Sequence, residues 1–294
     1  MGRSWPEGTL ADPEEVAPVM NGQLEGLSTA NPEMNSLLEW LRQRMAGWGP
    51  EAVGMLIRTA RANRPLQTKD FEDLLRQLDE ADALVPLPTE PAALANVVEQ
   101  ALLSFLHERL EELASGGKDV AHASAGDRAY PDLEVSGTFF SESGDTEFHA
   151  VDVKVARRRQ RAAGEPTATQ SRVTLYTGNT YFKYPKLLWP GLLRPFGSYA
   201  SHLCILVLYD FLPEGGEHVA NVEVLVHPTW RIASKQRSSR TREYIGGVTS
   251  LEDLREGRGE FSSESDFYRY WHGYEFKQSA KVTQILYKLL EKQS

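Results

Sequence analysis

The chain has 294 residues, 41% of them hydrophobic, which is enough to bury an ordinary core as one large domain or two smaller ones. Its single cysteine, Cys204, excludes an intrachain disulfide, and the apolar neighbours Leu203 and Ile205 mark it as a buried, inert thiol. The formal charge of −9 argues against a uniformly basic nucleic-acid binder, yet it is unevenly spread: residues 1–100 hold 16 acidic and 8 basic side chains, and residues 101–294 hold 25 and 24.

Residues 1–30, rich in Pro, Gly and Glu, read as a flexible arm without the apolar run of a targeting peptide. Residues 31–88 read as an acidic helical region. A first helix starts at Asn31 and spaces Leu37, Leu38, Trp40, Leu41 and Met45 helically; a second covers 50–62, a third 68–83, and Pro86-Leu87-Pro88 is a linker. The charge there has the wrong sign for DNA reading, so packing or dimerisation is the expected role. The longest helix is expected from Thr89 to Ser115, entered through Pro91 and closed by Gly116-Gly117. Leu94, Val98, Ala101, Leu102, Phe105 and Leu110 form its apolar face, and Glu99 sits on the flank.

A loop over 117–128 leads to two alternating segments, 130–135 and 148–155, joined by the turn Ser141–Asp145. A flexible basic segment from Arg157 to Gln170 follows, then a strand at 172–177 and an irregular aromatic stretch to Phe196. Residues 203–212 and 219–228 read as a second hairpin. Residues 234–248 read as a Ser- and Arg-rich loop, and two helices, 263–272 and 278–292, finish the chain. No stretch reaches the roughly 18 apolar residues of a spanning helix. No membrane is therefore expected, and a reducing cytoplasm is.

The chemistry concentrates at 130–154. Strand alternation puts Asp132 and Glu134 on one face and Leu133 and Val135 on the other; it likewise pairs Asp152 with Lys154, and Val151 with Val153. The hairpin brings Asp132 to Asp152, and two carboxylates so close repel unless a cation sits between them. Hard oxygen ligands suit Mg²⁺, with Lys154 beside them to orient water and offset charge on phosphorus. This is the PD…(D/E)xK constellation of metal-dependent nucleases. Alone it is a weak signal, since Glu275-Phe276-Lys277 repeats the short element. A glycosidase carboxylate pair stays open but gives Lys154 no role. No serine elbow, phosphate-cradling glycine loop or histidine metal spacing is present, and His149 and His202 read as structural.

Further along, Val173-Thr174-Leu175, then Pro195-Phe196 with Tyr199 and His202, then Tyr244–Val248, Glu256–Phe261 and Ser265–Trp271 follow in order. This series resembles EcoRV-type type II restriction endonucleases. The resemblance implies an α/β fold, a mixed central β-sheet flanked by helices, over about 89–294. It makes Asp132 and Asp152 metal ligands for Mg²⁺, Lys154 the catalytic lysine and Glu99, by position, an auxiliary carboxylate. It maps a DNA-recognition loop near 234–248, with Lys235, Arg237, Ser238, Ser239, Arg240, Thr241 and Arg242 as DNA contacts. Arginines there fit guanine edges or phosphates equally well. The implied activity is Mg²⁺-dependent, sequence-specific cutting of double-stranded DNA by a homodimer, leaving 5′-phosphate and 3′-hydroxyl ends. A repair or mobile-element nuclease of the same fold, and a DNA-binding protein without chemistry, remain alternatives.

Overall fold

The computed structural model describes residues 36–46, 91–125, 129–161, 163–211, 219–239 and 243–292. The expected arm at 1–30, the helices at 50–62 and 68–83 and the linker after them lie outside the described residues. Residues 37–46 are helical (α1). Leu37, Trp40, Leu41 and Met45 are buried, as their spacing requires for a one-sided apolar stripe.

The long helix α2 runs Pro91–Ser115. It ends where expected: Gly117 takes a left-handed φ of 81°, and Lys118 N–H reaches back to the Leu113 carbonyl at 3.1 Å, closing the last turn as glycine permits. Val98, Leu102, Leu103, Leu106 and Leu110 are buried. Burying each such side chain stabilises the fold by about 2 kcal/mol. Phe105, expected on the buried face, is only partly covered.

The central sheet has five strands in the order β1-β2-β3-β5-β6. They are β1 Ala121–Ala123, β2 Leu133–Gly137, β3 Glu147–Arg157, β5 Ser201–Phe211 and β6 Val219–Pro228. All neighbours pair antiparallel except β3 and β5, which run parallel over His149↔Ser201 to Arg157↔Tyr209. A smaller sheet has β4 Thr174–Thr177, β8 Tyr244–Gly247 and β7 Ala233–Arg237, in that order. Helices α3 Leu251–Glu256, α4 Glu264–Gly273 and α5 Ala280–Glu291 follow. The fold is mixed α/β with helices flanking a mixed sheet, as expected.

Three expectations change. The loop at 117–128 contains β1, an edge strand too short to show alternation. Gly137 explains how it fits: φ is 127°, and a Cβ there would collide with the Asp119 backbone. The described part of 234–248 is largely two paired strands, β7 and β8, and Arg172 bridges them by donating to the Gly247 carbonyl (2.9 Å) and Gln236 Oε1 (2.7 Å). The basic run after 157 is held down at Arg158, which is buried and donates to Glu223 (2.8 Å) beside Asp210 (3.6 Å). Helix α3, capped by Ser250 Oγ, has only 6 residues, too few for an apolar periodicity to show in the sequence.

The central sheet divides the interior in two. Leu133, Val135, Val151, Val153, Leu203 and Ile205 pack with α1 and α2 in one core. Ala150, Ala156, Cys204, Leu206 and Leu208 pack with the small sheet and an aromatic cluster in the other. Asp152 and Lys154 share the parity of Ala150 and Ala156, so the site belongs to the second face.

Candidate active site

The hairpin register sets the site. Leu133 pairs with Val151, so Asp132, one residue before β2, falls opposite Asp152. Asp132 Oδ2 accepts from Val153 N–H at 2.6 Å, which fastens the carboxylate to β3. Asp152 is 3% exposed, and Lys154 Nζ stands 2.6 Å from its Oδ2. That approach is off the hydrogen-bonding direction, since the same buried Oδ2 has no aligned donor. Burial pushes the Asp152 carboxyl well above the usual range; Lys154 pulls it down and Asp132 pushes it up again. Burial pulls the Lys154 ammonium down, but Asp152 and Asp132 more than offset this and raise it above an ordinary lysine. Two acids thus crowd one base in a poorly solvated place, which is the condition under which a carboxylate pair takes up a cation or a proton.

Asp132, Asp152, Lys154 and Glu99 line one cleft of about 1670 Å³. Glu99 comes from α2 and the rest from the hairpin, so helix and hairpin both contribute to the lining. Among the described residues no group of three or more His, Cys, Asp and Glu is gathered tightly enough to hold a metal ion. Asp132 and Asp152 are the two that could share one, through hard oxygens and with the unsatisfied Asp152 Oδ2 among them.

Glu134 shares the sheet face of Asp132 but not its surroundings. Arg194 donates to it twice, at 2.6 and 2.8 Å, and the Tyr199 hydroxyl donates at 3.0 Å. The Arg194 guanidinium also lies 3.4 Å over the Phe148 ring. Every lone pair that matters is engaged, so Glu134 is a fastening between β2 and the segment before β5. Glu275 and Lys277 do not line the cleft.

Of the expected DNA contacts, Lys235, Arg237, Ser238 and Ser239 are among the described residues. Lys235 is exposed on β7; its N–H donates to Glu260 (2.6 Å), and its ammonium lies over the Phe261 and Tyr270 rings at 5.7 and 6.0 Å. Arg237 ends β7, and Ser238 Oγ accepts from Thr174 Oγ1 at 2.8 Å. Ser239 follows, while Arg240, Thr241 and Arg242 lie outside the described residues. Lys235, Arg237, Ser238 and Ser239 do not line the cleft, although Arg172, Thr174 and Tyr244 of the same small-sheet region do.

Sequence reasoning passed over Tyr130, Arg172 and Tyr181, all cleft residues. Only the position of Tyr130 before Pro131-Asp132 could have flagged one of them. His149 and His202 are both buried, His149 on β3 and His202 on β5. His202 pairs with the Tyr130 hydroxyl (2.6 Å) and stacks on Phe196 at 4.0 Å, and burial pulls it down to about 3. Cys204 is free and buried, its thiol pushed up by desolvation. Among the described residues no helix is long and apolar enough to cross a membrane.

The family model described as "Restriction endonuclease EcoRV" matches residues 67–293. Among solved structures, the restriction endonuclease BglI bound to its DNA recognition sequence is similar with a TM-score of 0.32 and 15% identity, covering 82% of this chain and 94% of that one. No curated protein matches the chain.

Proposed function

Since the chain belongs to the EcoRV restriction endonuclease family, we propose that it is a type II restriction endonuclease that cuts double-stranded DNA at a specific sequence, with Mg²⁺ as cofactor. The observation that carries the reading is the cleft in which Asp132 and Asp152 oppose each other across the hairpin with Lys154 2.6 Å from Asp152. Asp132 and Asp152 would hold the ion. When bound, it supplies Lewis acidity toward the phosphate and toward water.

The chain's own groups do the rest. The Val153 N–H fixes Asp132, so the acid is aimed before substrate arrives. Lys154 brings positive charge next to the reacting phosphate, orients the attacking water and offsets charge as five oxygens crowd the phosphorus. Glu99, across the cleft on α2, is an auxiliary acceptor for the proton that water gives up. The water oxygen bonds to phosphorus, the bond to the 3′-oxygen breaks, and that oxygen takes a proton, leaving 5′-phosphate and 3′-hydroxyl ends.

A duplex offers two strands of opposite polarity, and each chain offers one such cleft among its described residues. Two copies about a two-fold axis therefore suit a double-strand cut at a palindromic site. The β7–β8 hairpin, with Lys235 and Arg237 on β7 and the sequence Ser238–Arg242 following it, is the proposed reader of bases and phosphates. Such a role belongs with DNA in the cytoplasm, where Cys204 stays reduced.

The test is digestion of unmethylated DNA with Mg²⁺ and sequencing of the ends. Discrete fragments with one recurrent terminal sequence are expected. A smear, or nicking that follows DNA structure instead of sequence, would sink the restriction reading, and no cutting at all would sink the nuclease reading.

A further inference from the structure

The cleft that holds Asp152 and Lys154 is also lined by Thr180 and Tyr181 of a turn, Gly178–Phe182, whose helical path breaks at Thr180 (φ −121°, ψ −113°). The turn is fastened on several sides. Gly178 N–H donates to the Glu243 carbonyl at 2.8 Å, and a Cβ at 178 would collide with the Phe276 ring, so glycine lets that ring close over the backbone. Buried Asn179 donates to the Lys277 carbonyl at 3.3 Å. Tyr184 N–H returns to the Thr180 carbonyl at 3.0 Å.

Tyr181 is carried on this fixed turn. Its ring stacks on Tyr130 (5.3 Å, 15°) and on Phe196 (5.5 Å, 27°). Tyr130 stands two residues before Asp132, so one aromatic stack ties the phenol to the strand entry that carries the first acid. The Thr177 N–H donates to the Tyr181 hydroxyl oxygen at 3.0 Å. Burial lifts the phenol to about 12, and the Thr177 hydrogen bonds hold it back only in part. It stays protonated near neutrality. An oxygen that already accepts from Thr177 has its own O–H to give, and it lines the same cleft as the acids and the lysine.

We infer that the Tyr181 hydroxyl donates a hydrogen bond to a non-bridging oxygen of the scissile phosphate. The inference rests on the DNA-cleavage reading above and assigns that site a further substrate contact. A neutral donor suits the place. Lys154 already supplies the positive charge, and a second ammonium beside it would oppose both Lys154 and a bound cation, whereas a pre-aimed phenol stabilises developing phosphate charge without that repulsion. The rigid turn means the donor needs no reorganisation when substrate arrives.

The test is Tyr181→Phe, which keeps the ring and its stacks. Single-turnover cleavage should slow by roughly 100-fold, the range seen when one transition-state donor is removed, with DNA affinity within about twofold and the melting temperature little changed. Phosphorothioate substrates add a readout that a packing role would not move. One diastereomer should be penalised by the parent and much less by Tyr181→Phe, because the contact it disturbs is already gone. Cleavage within threefold of the parent, or the same penalty in both proteins, overturns the inference. If the parent cuts nothing, the cleavage reading fails instead. The contact is then decided by fluorotyrosine labelling: the resonance that Tyr181→Phe removes should shift when duplex DNA is added, and a resonance that stays put overturns it.

Discussion

Two acid–base clusters occupy the same face of the central sheet, and they differ in how their charges are answered. Around Glu134, a carboxylate 5% exposed meets a two-pronged Arg194 and the Tyr199 hydroxyl. Around Asp152, two carboxylates share one ammonium, and a buried oxygen is left without an aligned donor. A saturated cluster behaves as a fastening, because any displacement loses hydrogen bonds already made. An unsaturated one is held in readiness, because it has capacity for a ligand. Strand alternation alone gives Asp132 and Glu134 equal standing, and their partners separate them.

The sharpest way to break the comparison is to remove one member from each cluster and measure both activity and stability. Lys154→Ala should cost at least about 1000-fold in Mg²⁺-dependent cleavage while DNA binding stays within a few-fold; a variant that cuts as well as the parent ends the proposed mechanism. Arg194→Ala should do the reverse. It strands a buried carboxylate, for which about 3 kcal/mol is expected, or a melting point lower by roughly 6–12 °C, so an unchanged melting point would show that Glu134 is not a fastening. Added Mg²⁺ should raise the melting point of the parent, by about 2.7 kcal/mol of stability at a hundred times its dissociation constant. Asp132→Asn and Asp152→Asn should each lose that response. If calorimetry shows the same Mg²⁺ effect in all three proteins, the ion binds elsewhere.

The smallest effect concerns pH. Burial depresses His202 to about 3, and His149 and His227 to about 4. Against an unfolded value near 6.5, the unfolded chain binds protons on these histidines that the folded one refuses, so their contribution to stability should be level above about pH 6.5 and fall as pH drops from there toward 4. His202→Gln should reduce the slope by about 1.4 kcal/mol per pH unit near pH 5. Equal slopes in denaturant titrations of parent and variant would contradict a neutral, buried His202.

Much of this arrangement is legible in the residues. Alternation gives β2 and β3, and the hairpin turn then places Asp132 near Asp152, since both signals are local. The helix at Pro91–Ser115 and the pairing of β5 with β6 are legible for the same reason. The partners of Glu134 are not, because Arg194 lies 60 residues away and nothing in its own neighbourhood marks it. The same holds for the parallel pairing of β3 with β5 and for the small sheet, whose strands β4 and β8 lie far apart in the chain. Arg158 misled through composition: four arginines within five residues look solvated, yet one turns inward to Glu223 and Asp210. Tyr181 carries no sequence signal, because its role depends on a turn fastened by Glu243, Phe276 and Lys277.

The four buried side chains of α1 bear on how this protein can be shortened. The family match starts at residue 67, and a chain cut there would keep the acids, the lysine, the cleft and both sheets. It would lose Leu37, Trp40, Leu41 and Met45, which share a core with Leu102, Leu106 and Val151. At about 2 kcal/mol for each buried apolar side chain, that loss is comparable with the whole stability of a typical domain. The exposed flank of α2 would be a hydrophobic strip open to other molecules. The family-matched stretch and the stretch that fills this core therefore have different left-hand edges, and a truncation at 67 should come out aggregated where one at 36 stays in solution.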